Sequence, residues 1–376
     1  MRARTISALW VVLGVLMVGA AGLLSGCVAG HKQFAYTVGA GTNEIFSFKA
    51  LRDGTLTPLA TPNFAAGSNP TALAVHTNGN FLYIADFAGN NLLLLDINRG
   101  NGLLSTPAST SIVVPVTPPN VFNTGAGPIA VAMSPTAPFL YSANQTEGDI
   151  TGFTVNPGDG TLSFIQNFPL AAGAHPQSLV ISPKGDFLFV ANPGQATVEV
   201  FAISSKGLLA EVAGSPFAMG AGATPNALAV APSGRFLYVA DSAHNAILGF
   251  AVQANGAISA ISGSPFAAGV LPGALAVDPQ GALLYAANTG SNSISAYVID
   301  SASGALGAVN GSPFATGGTG PSALTVDSTT TVLYVSEQAS HDIATFGILA
   351  NGTLKPVTGS PFSVATSAQA IALVRP

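Results

Sequence analysis

Charge is what this sequence has least of: only 7% of its 376 residues are Asp, Glu, Lys or Arg, and no basic cluster occurs anywhere. Nucleic-acid binding draws most of its affinity from Lys and Arg against phosphate, so it is excluded as a role. Cysteine is almost missing too. The single Cys27 leaves the chain without an intramolecular disulfide. The glycine-rich stretches 125–127 and 317–320 lack a P-loop lysine, and there is no G-x-S-x-G elbow, H-E-x-x-H helix or calcium-binding loop. No cofactor and no metal is therefore expected. Beyond the N-terminal segment no apolar run approaches the ~18 residues that span a bilayer. The positive mean hydropathy comes instead from Ala, Val and Leu in short segments divided by 43 Gly and 26 Pro.

The N-terminal segment is the exception. Arg2 and Arg4 precede an apolar run over residues 6–24, and small residues lead to Cys27, the layout of a secretory signal rather than of a fold element. Leu24-Ser25-Gly26-Cys27 resembles a bacterial lipobox. The resemblance implies a signal peptide over residues 1–26, lipidation of Cys27, and an anchor and linker over residues 27–33. The membrane contact expected is then a lipid anchor rather than a span, since each buried acyl methylene contributes about 0.8 kcal/mol. The expected location is the cell envelope after export across the inner membrane. Val28, where Asp would favour inner-membrane retention, points to the outer membrane.

From residue 34 to residue 376 one pattern dominates: a Pro, an apolar strand, a turn, a second strand ending in Asn, Asp or Glu, then a third strand. It begins at Pro70 (PTALAVHTNGNFLYIAD), Pro128, Pro176 (PQSLVISPKGDFLFVAN), Pro225 (PNALAVAPSGRFLYVAD), Pro272 and Pro321, at spacings of 58, 48, 49, 47 and 49 residues. The long spacing carries an insertion around residues 105–123, and GSPF closes several units, as at 214–217, 263–266, 311–314 and 359–362. Such regular short strands imply an all-β repetitive architecture. The ends fix the count. Residues 369–374 (QAIALV) read as a first strand with nothing after it, while 34–38 (FAYTV) and 44–48 (EIFSF) read as second and third strands with no first. Six whole repeats and one split repeat predict a seven-bladed β-propeller, four antiparallel strands per blade, closed by pairing of the N- and C-terminal strands. Alternate small residues in the first strands, such as Ala72/Ala74 and Ala227/Ala229, fit the crowding near a propeller axis.

Ligands of such folds bind at the rim carrying the loops before strand one and between strands two and three. Of the residues just before strand one, only His175 carries an acid–base side chain. The turns between strands two and three supply Asp241, His244, Glu337, His341 and Asp342. His175 and His244, from consecutive blades, with Asp241 or Glu337 as a carboxylate, form the best catalytic set available. The strand-end series Asp86, Asn144, Asn192, Asp241, Asn288 and Glu337 is expected to fix turns by accepting backbone N–H groups two residues on. His76 is expected exposed on the opposite rim, His31 in the linker, and the GSPF phenylalanines between blades.

The units at His175–Asn192 (HPQSLVISPKGDFLFVAN) and 233–241 (SGRFLYVAD) resemble the lactonase-type seven-bladed propellers (6-phosphogluconolactonase and muconate cycloisomerase-like) and the related YVTN repeat proteins. That resemblance implies lactone hydrolysis with a His-Pro-His motif, an Asp-Arg pair and, one blade on, Pro-Arg-His and Asn-Glu. Here His175-Pro176 is followed by Gln177, Ala196 and Thr197 replace Asp-Arg, Pro225 precedes Asn226 and Ala227, and Ser242 follows Asp241. With those Arg, His and Glu groups replaced, the favoured expectation is a binding or scaffolding module for an envelope protein, glycan or small molecule. The alternative is a divergent lactonase or cycloisomerase using His175, His244, Asp241 and Glu337.

Overall fold

The computed structural model describes residues 33–59, 64–107, 120–364 and 367–375, so Cys27 and His31 lie outside the described residues. Seven antiparallel sheets are present. Their first strands contact one another in a closed cycle, Ser367–Val374 against Pro70–Val75, and so on round through Pro321–Val326 and back. The expected seven-bladed propeller is thus the observed fold. Blade 1 is the composite one: Ser367–Val374 pairs with Gln33–Ala40, which pairs with Glu44–Ala50, which pairs with Leu56–Pro58. Blades 2 to 7 follow in chain order from Pro70, Pro128, Ser178, Pro225, Pro272 and Pro321.

The alternation of the first strands sorts their side chains between two neighbours. In blade 2, Ala72 and Ala74 pack into the cluster shared with blade 3, while Leu73 and Val75 pack into the cluster shared with blade 1. Covered on both faces by apolar surface, second strands such as Phe81–Asp86 are buried along their whole length. Polar stitches hold neighbouring blades in register. The phenol of Tyr83 in the second strand of blade 2 donates to the carbonyl of Gly160 in blade 3 at 2.7 Å, and Tyr36, Tyr141, Tyr238 and Tyr285 do the same to Gly102, Gly207, Gly304 and Gly352. Burial pushes these phenols upward from their ordinary range.

The outer edge differs from a simple fourth strand. In blade 4 it is split into Leu209–Glu211 and Phe217–Ala218, both paired with Thr197–Ile203. The GSPF turn lies between the two pieces, and its Ser215 Oγ accepts the Val200 N–H at 3.0 Å, filling the gap in the ladder. Ser264, Ser312 and Ser360 repeat this at Gly249, Ala296 and Thr345. A proline turn in the edge strand, with a side chain completing the pairing, blunts an edge that would otherwise template further strands. Phe217, Phe266, Phe314 and Phe362 pack against the clusters between blades, as expected.

Candidate functional site at the mouth of the axial channel

Each first strand begins with an irregularity that positions the site. In blade 2, Pro70 pairs with Asp86 and the next paired residue is Ala72, so Thr71 is bulged out of register. Blades 3, 5, 6 and 7 do the same at Ile129, Asn226, Gly273 and Ser322, and blade 1 does so at Gln369. A bulge re-aims a residue, and here it turns one residue in each of six blades toward the axis. These six, with Gln177 of blade 4, line the mouth of an axial cavity of about 670 Å³. Gln145 and Gln338, each directly after a second strand, join them. The lining is neutral. Gln145 Nε2 donates to Gln177 Oε1 at 2.5 Å, and Asn226 Nδ2 donates to Ser242 Oγ at 2.8 Å. A search confined to residues before strand one misses this ring, although its signal, the residue after each Pro, is plain in the repeat.

The strand-end acids and amides fasten the rim, by a different bond from the one expected. They do not hold the N–H two residues on. Asp86 Oδ1 accepts from Ser68 N and Asn69 N, and Asp241 Oδ1 from Thr224 N, all at 2.9 Å, so the bond runs back to the loop before strand one. Asn is a donor at the same place and needs an intermediary. Asn144 Nδ2 reaches Thr151 Oγ1, which accepts from Gly125 N; Asn192 reaches Glu199, which accepts from Ala171 N; Asn288 reaches Ser295, which accepts from Gly269 N. The expectation of an exposed His76 is also overturned. It is 5% exposed, its Nδ1 accepts the Asn78 N–H, and its ring meets Phe81 edge-on.

Two of the four candidate catalytic residues come together. His244 Nδ1 lies 2.6 Å from Asp241 Oδ2, with the imidazole 54% exposed and the carboxylate 2% exposed. Asp241 is held by Thr224 N and so has one oxygen left for the imidazole. With Nδ1 engaged by the carboxylate, Nε2 is the ring nitrogen left to act on a substrate. Ser242, the next residue, connects the pair to Asn226 at the channel mouth. His175 is exposed and its Nδ1 is 3.2 Å from the carbonyl of Gln145 on blade 3; no hydrogen bond joins it to His244. Glu337, on blade 7, is buried against Asp342, Thr316 and Gly318, and burial pushes it up to about 8. No three His, Cys, Asp or Glu side chains converge on a metal-binding point among the described residues.

The cations are sorted to one rim, which also carries carboxylates such as Asp53, Asp159 and Asp300. Every Lys and Arg among the described residues lies toward the rim opposite the mouth. Lys184 and Arg235 are in turns between strands one and two. Arg52, Arg99 and Lys206 are in hairpins between strands three and four, with Lys49 and Lys355 in the adjoining strands, and Arg375 follows the last strand. The mouth side carries carboxylates only, among them Asp86, Glu147, Asp149 and Asp241.

Known proteins share this architecture. Among solved structures, a crystal structure described as a 6-phosphogluconolactonase of Bacteroides uniformis superposes with a TM-score of 0.76 at 19% identity, covering 92% of this chain and 100% of that one. A periplasmic gluconolactonase of Pseudomonas aeruginosa gives 0.73 at 20% identity, covering 91% and 99%. At that identity the likeness is one of fold. A 6-phosphogluconolactonase of Bacillus subtilis is 25% identical over 134 residues, 36% of this chain and 37% of that relative's length. The family model described as "Lactonase, 7-bladed beta-propeller" matches residues 27–224 and 215–314. The repeat, the closure and the axial mouth thus have one family behind them, and this chain belongs to the seven-bladed β-propeller lactonase family.

Proposed function

We propose that this chain hydrolyses an uncharged lactone at the axial mouth. The observation that carries the reading is the Asp241–His244 pair, joined through Ser242 to Asn226 at a mouth whose lining is uncharged, with every described cation toward the opposite rim. The relatives support lactonase chemistry over the binding or scaffolding role that the replaced motif residues favoured. The neutral mouth narrows the substrate, because a phosphate or carboxylate group would find no Arg or Lys to receive it.

In this reading His244 Nε2 takes a proton from water as the water oxygen attacks the lactone carbonyl. The amide of Asn226 has a second N–H to offer the developing oxyanion, the first being given to Ser242. The tetrahedral intermediate collapses with cleavage of the bond to the ring oxygen. The imidazolium returns its proton to that oxygen, giving a hydroxy acid, while Asp241 stabilises the imidazolium throughout. His175, tied to Gln145, shapes the neighbouring part of the rim. The lipobox-like segment makes the cell envelope the proposed site of action.

Purified protein assayed on lactones of several ring sizes, with and without phosphate, tests the proposal. Turnover of neutral lactones is expected to fall by about 100-fold or more in His244→Ala. Asp241→Asn keeps an oxygen for Thr224 N, and is expected to lose at least about tenfold by no longer stabilising the imidazolium. Buffer-level rates on every lactone, or full activity in His244→Ala, would sink it and return attention to envelope binding partners.

A further inference from the structure

One stretch of the mouth rim is apolar, and a hydrogen bond joins it to Asn245, the residue after the proposed base. Val270 and Leu271, in the loop before the first strand of blade 6, are each 48% exposed. The corresponding pairs in blades 3, 5 and 7 are small or polar: Ala126-Gly127, Ala223-Thr224 and Thr319-Gly320. Leu271 also adopts a left-handed backbone, φ +55, which Gly127 and Gly320 adopt at the same place with φ +69. A leucine there carries strain that a glycine does not. Burial does not account for that strain, since the side chain faces solvent, and the same turn is made by glycine in blades 3 and 7 and by His175, φ +48, in blade 4.

The two residues are nevertheless fixed in place. Val270 N donates to Ser291 Oγ at 3.1 Å and Leu271 N to Asn245 Oδ1 at 2.8 Å. Their carbonyls accept from Gly290 N and Thr289 N at 3.0 Å each. Both side chains cover Gly290, where a Cβ would come within 2.8 Å of Val270 and 3.1 Å of Leu271. Asn245 directly follows His244, so one hydrogen bond ties this shelf to the segment carrying the base. A rigid, strained, exposed aliphatic pair tied to the segment of a catalytic group is the arrangement expected of a substrate contact.

We propose that Val270 and Leu271 form a subsite for a hydrocarbon substituent on the lactone, so that the preferred substrate is a neutral lactone bearing an alkyl chain. This rests on the lactone-hydrolase reading and extends it to specificity. The test compares δ-decanolactone with δ-valerolactone, which share a ring and differ in the alkyl tail. Wild-type protein is expected to favour decanolactone, through KM. In Leu271→Gly that preference is expected to shrink about tenfold, with a melting temperature no lower than wild type because the backbone strain is gone. Calorimetric binding of both lactones to His244→Ala, with and without Leu271→Gly, separates the two claims. Decanolactone binding that depends on Leu271, together with buffer-level turnover of every lactone by the wild-type protein, overturns hydrolysis and leaves the subsite standing. Equal binding of the two lactones, or a preference untouched by Leu271→Gly, overturns the subsite whatever the turnover.

Discussion

Glu337 stands where other blades place Asp or Asn and, like them, is buried, its carboxyl lying against the loop at Gly318. Burial is the main cause of its rise to about 8, and the neighbouring Asp342 adds to it. In the unfolded chain the same group ionises in the ordinary carboxyl range near 4.3. Between those two values the folded protein holds a proton that the unfolded chain has released, so stability falls as pH rises through that window. At about 1.4 kcal/mol per pH unit the loss is on the order of a few kcal/mol by pH 8. Glu337→Gln is expected to flatten this slope and to be the more stable protein at pH 8, as read by urea unfolding at pH 5 and pH 8. An unchanged slope would show that Glu337 ionises freely in the folded state. Sequence position alone marked Glu337 as a rim carboxylate. Its burial was not legible, because the covering loop comes from beyond the preceding hairpin. The same limit applies to His76, whose turn looked open until Asn78 and Phe81 closed on it.

Second strands carry the register between blades through their tyrosines, and one blade lacks the phenol. Phe189 of blade 4 occupies the place of Tyr141 and Tyr238 in FLFVAN against FLYSAN and FLYVAD. The carbonyl of Gly256 in blade 5 stands where Gly207 and Gly304 receive those hydroxyls. Phe189→Tyr is expected to add the missing bond and stabilise by about 1 kcal/mol, and Tyr238→Phe to destabilise by at least a similar amount, both measurable by chemical denaturation. A loss of stability in Phe189→Tyr would mean that the seam between blades 4 and 5 has no room for the hydroxyl. Blade count, strand order and closure were legible because each is encoded locally, in the Pro, the alternating Ala and Leu, and the split ends. The mouth was not. Its residues are brought inward by bulges at Thr71, Asn226 and Ser322, and a period-two reading assigns such residues to a sheet face. Pairing of His244 with Asp241 depended in turn on the left-handed Asn245 that completes their hairpin.

Across the whole molecule, all described cations lie toward the far side, which leaves the mouth side, with exposed Glu147, without a positive group to attract an anion. In the proposed reaction a neutral lactone becomes an anion, and an anionic product would find no cation at the rim that admits its precursor. An anionic lactone such as 6-phosphogluconolactone is accordingly expected to show kcat/KM at least about tenfold below that of a neutral lactone at low salt. The gap should narrow as the Debye length shrinks toward about 3 Å at 1 M salt. A gap indifferent to salt would place the discrimination in shape rather than charge. The far face also receives both ends of the propeller. Gln33 bonds through Nε2 to Ser328 Oγ, and Arg375 through Nη2 to the carbonyl of the same Ser328. Whatever is joined ahead of Gln33 therefore starts from the floor of the propeller. A lipid, a bead or a fused partner attached there can hold the protein down while the opening on the other side stays in contact with the medium.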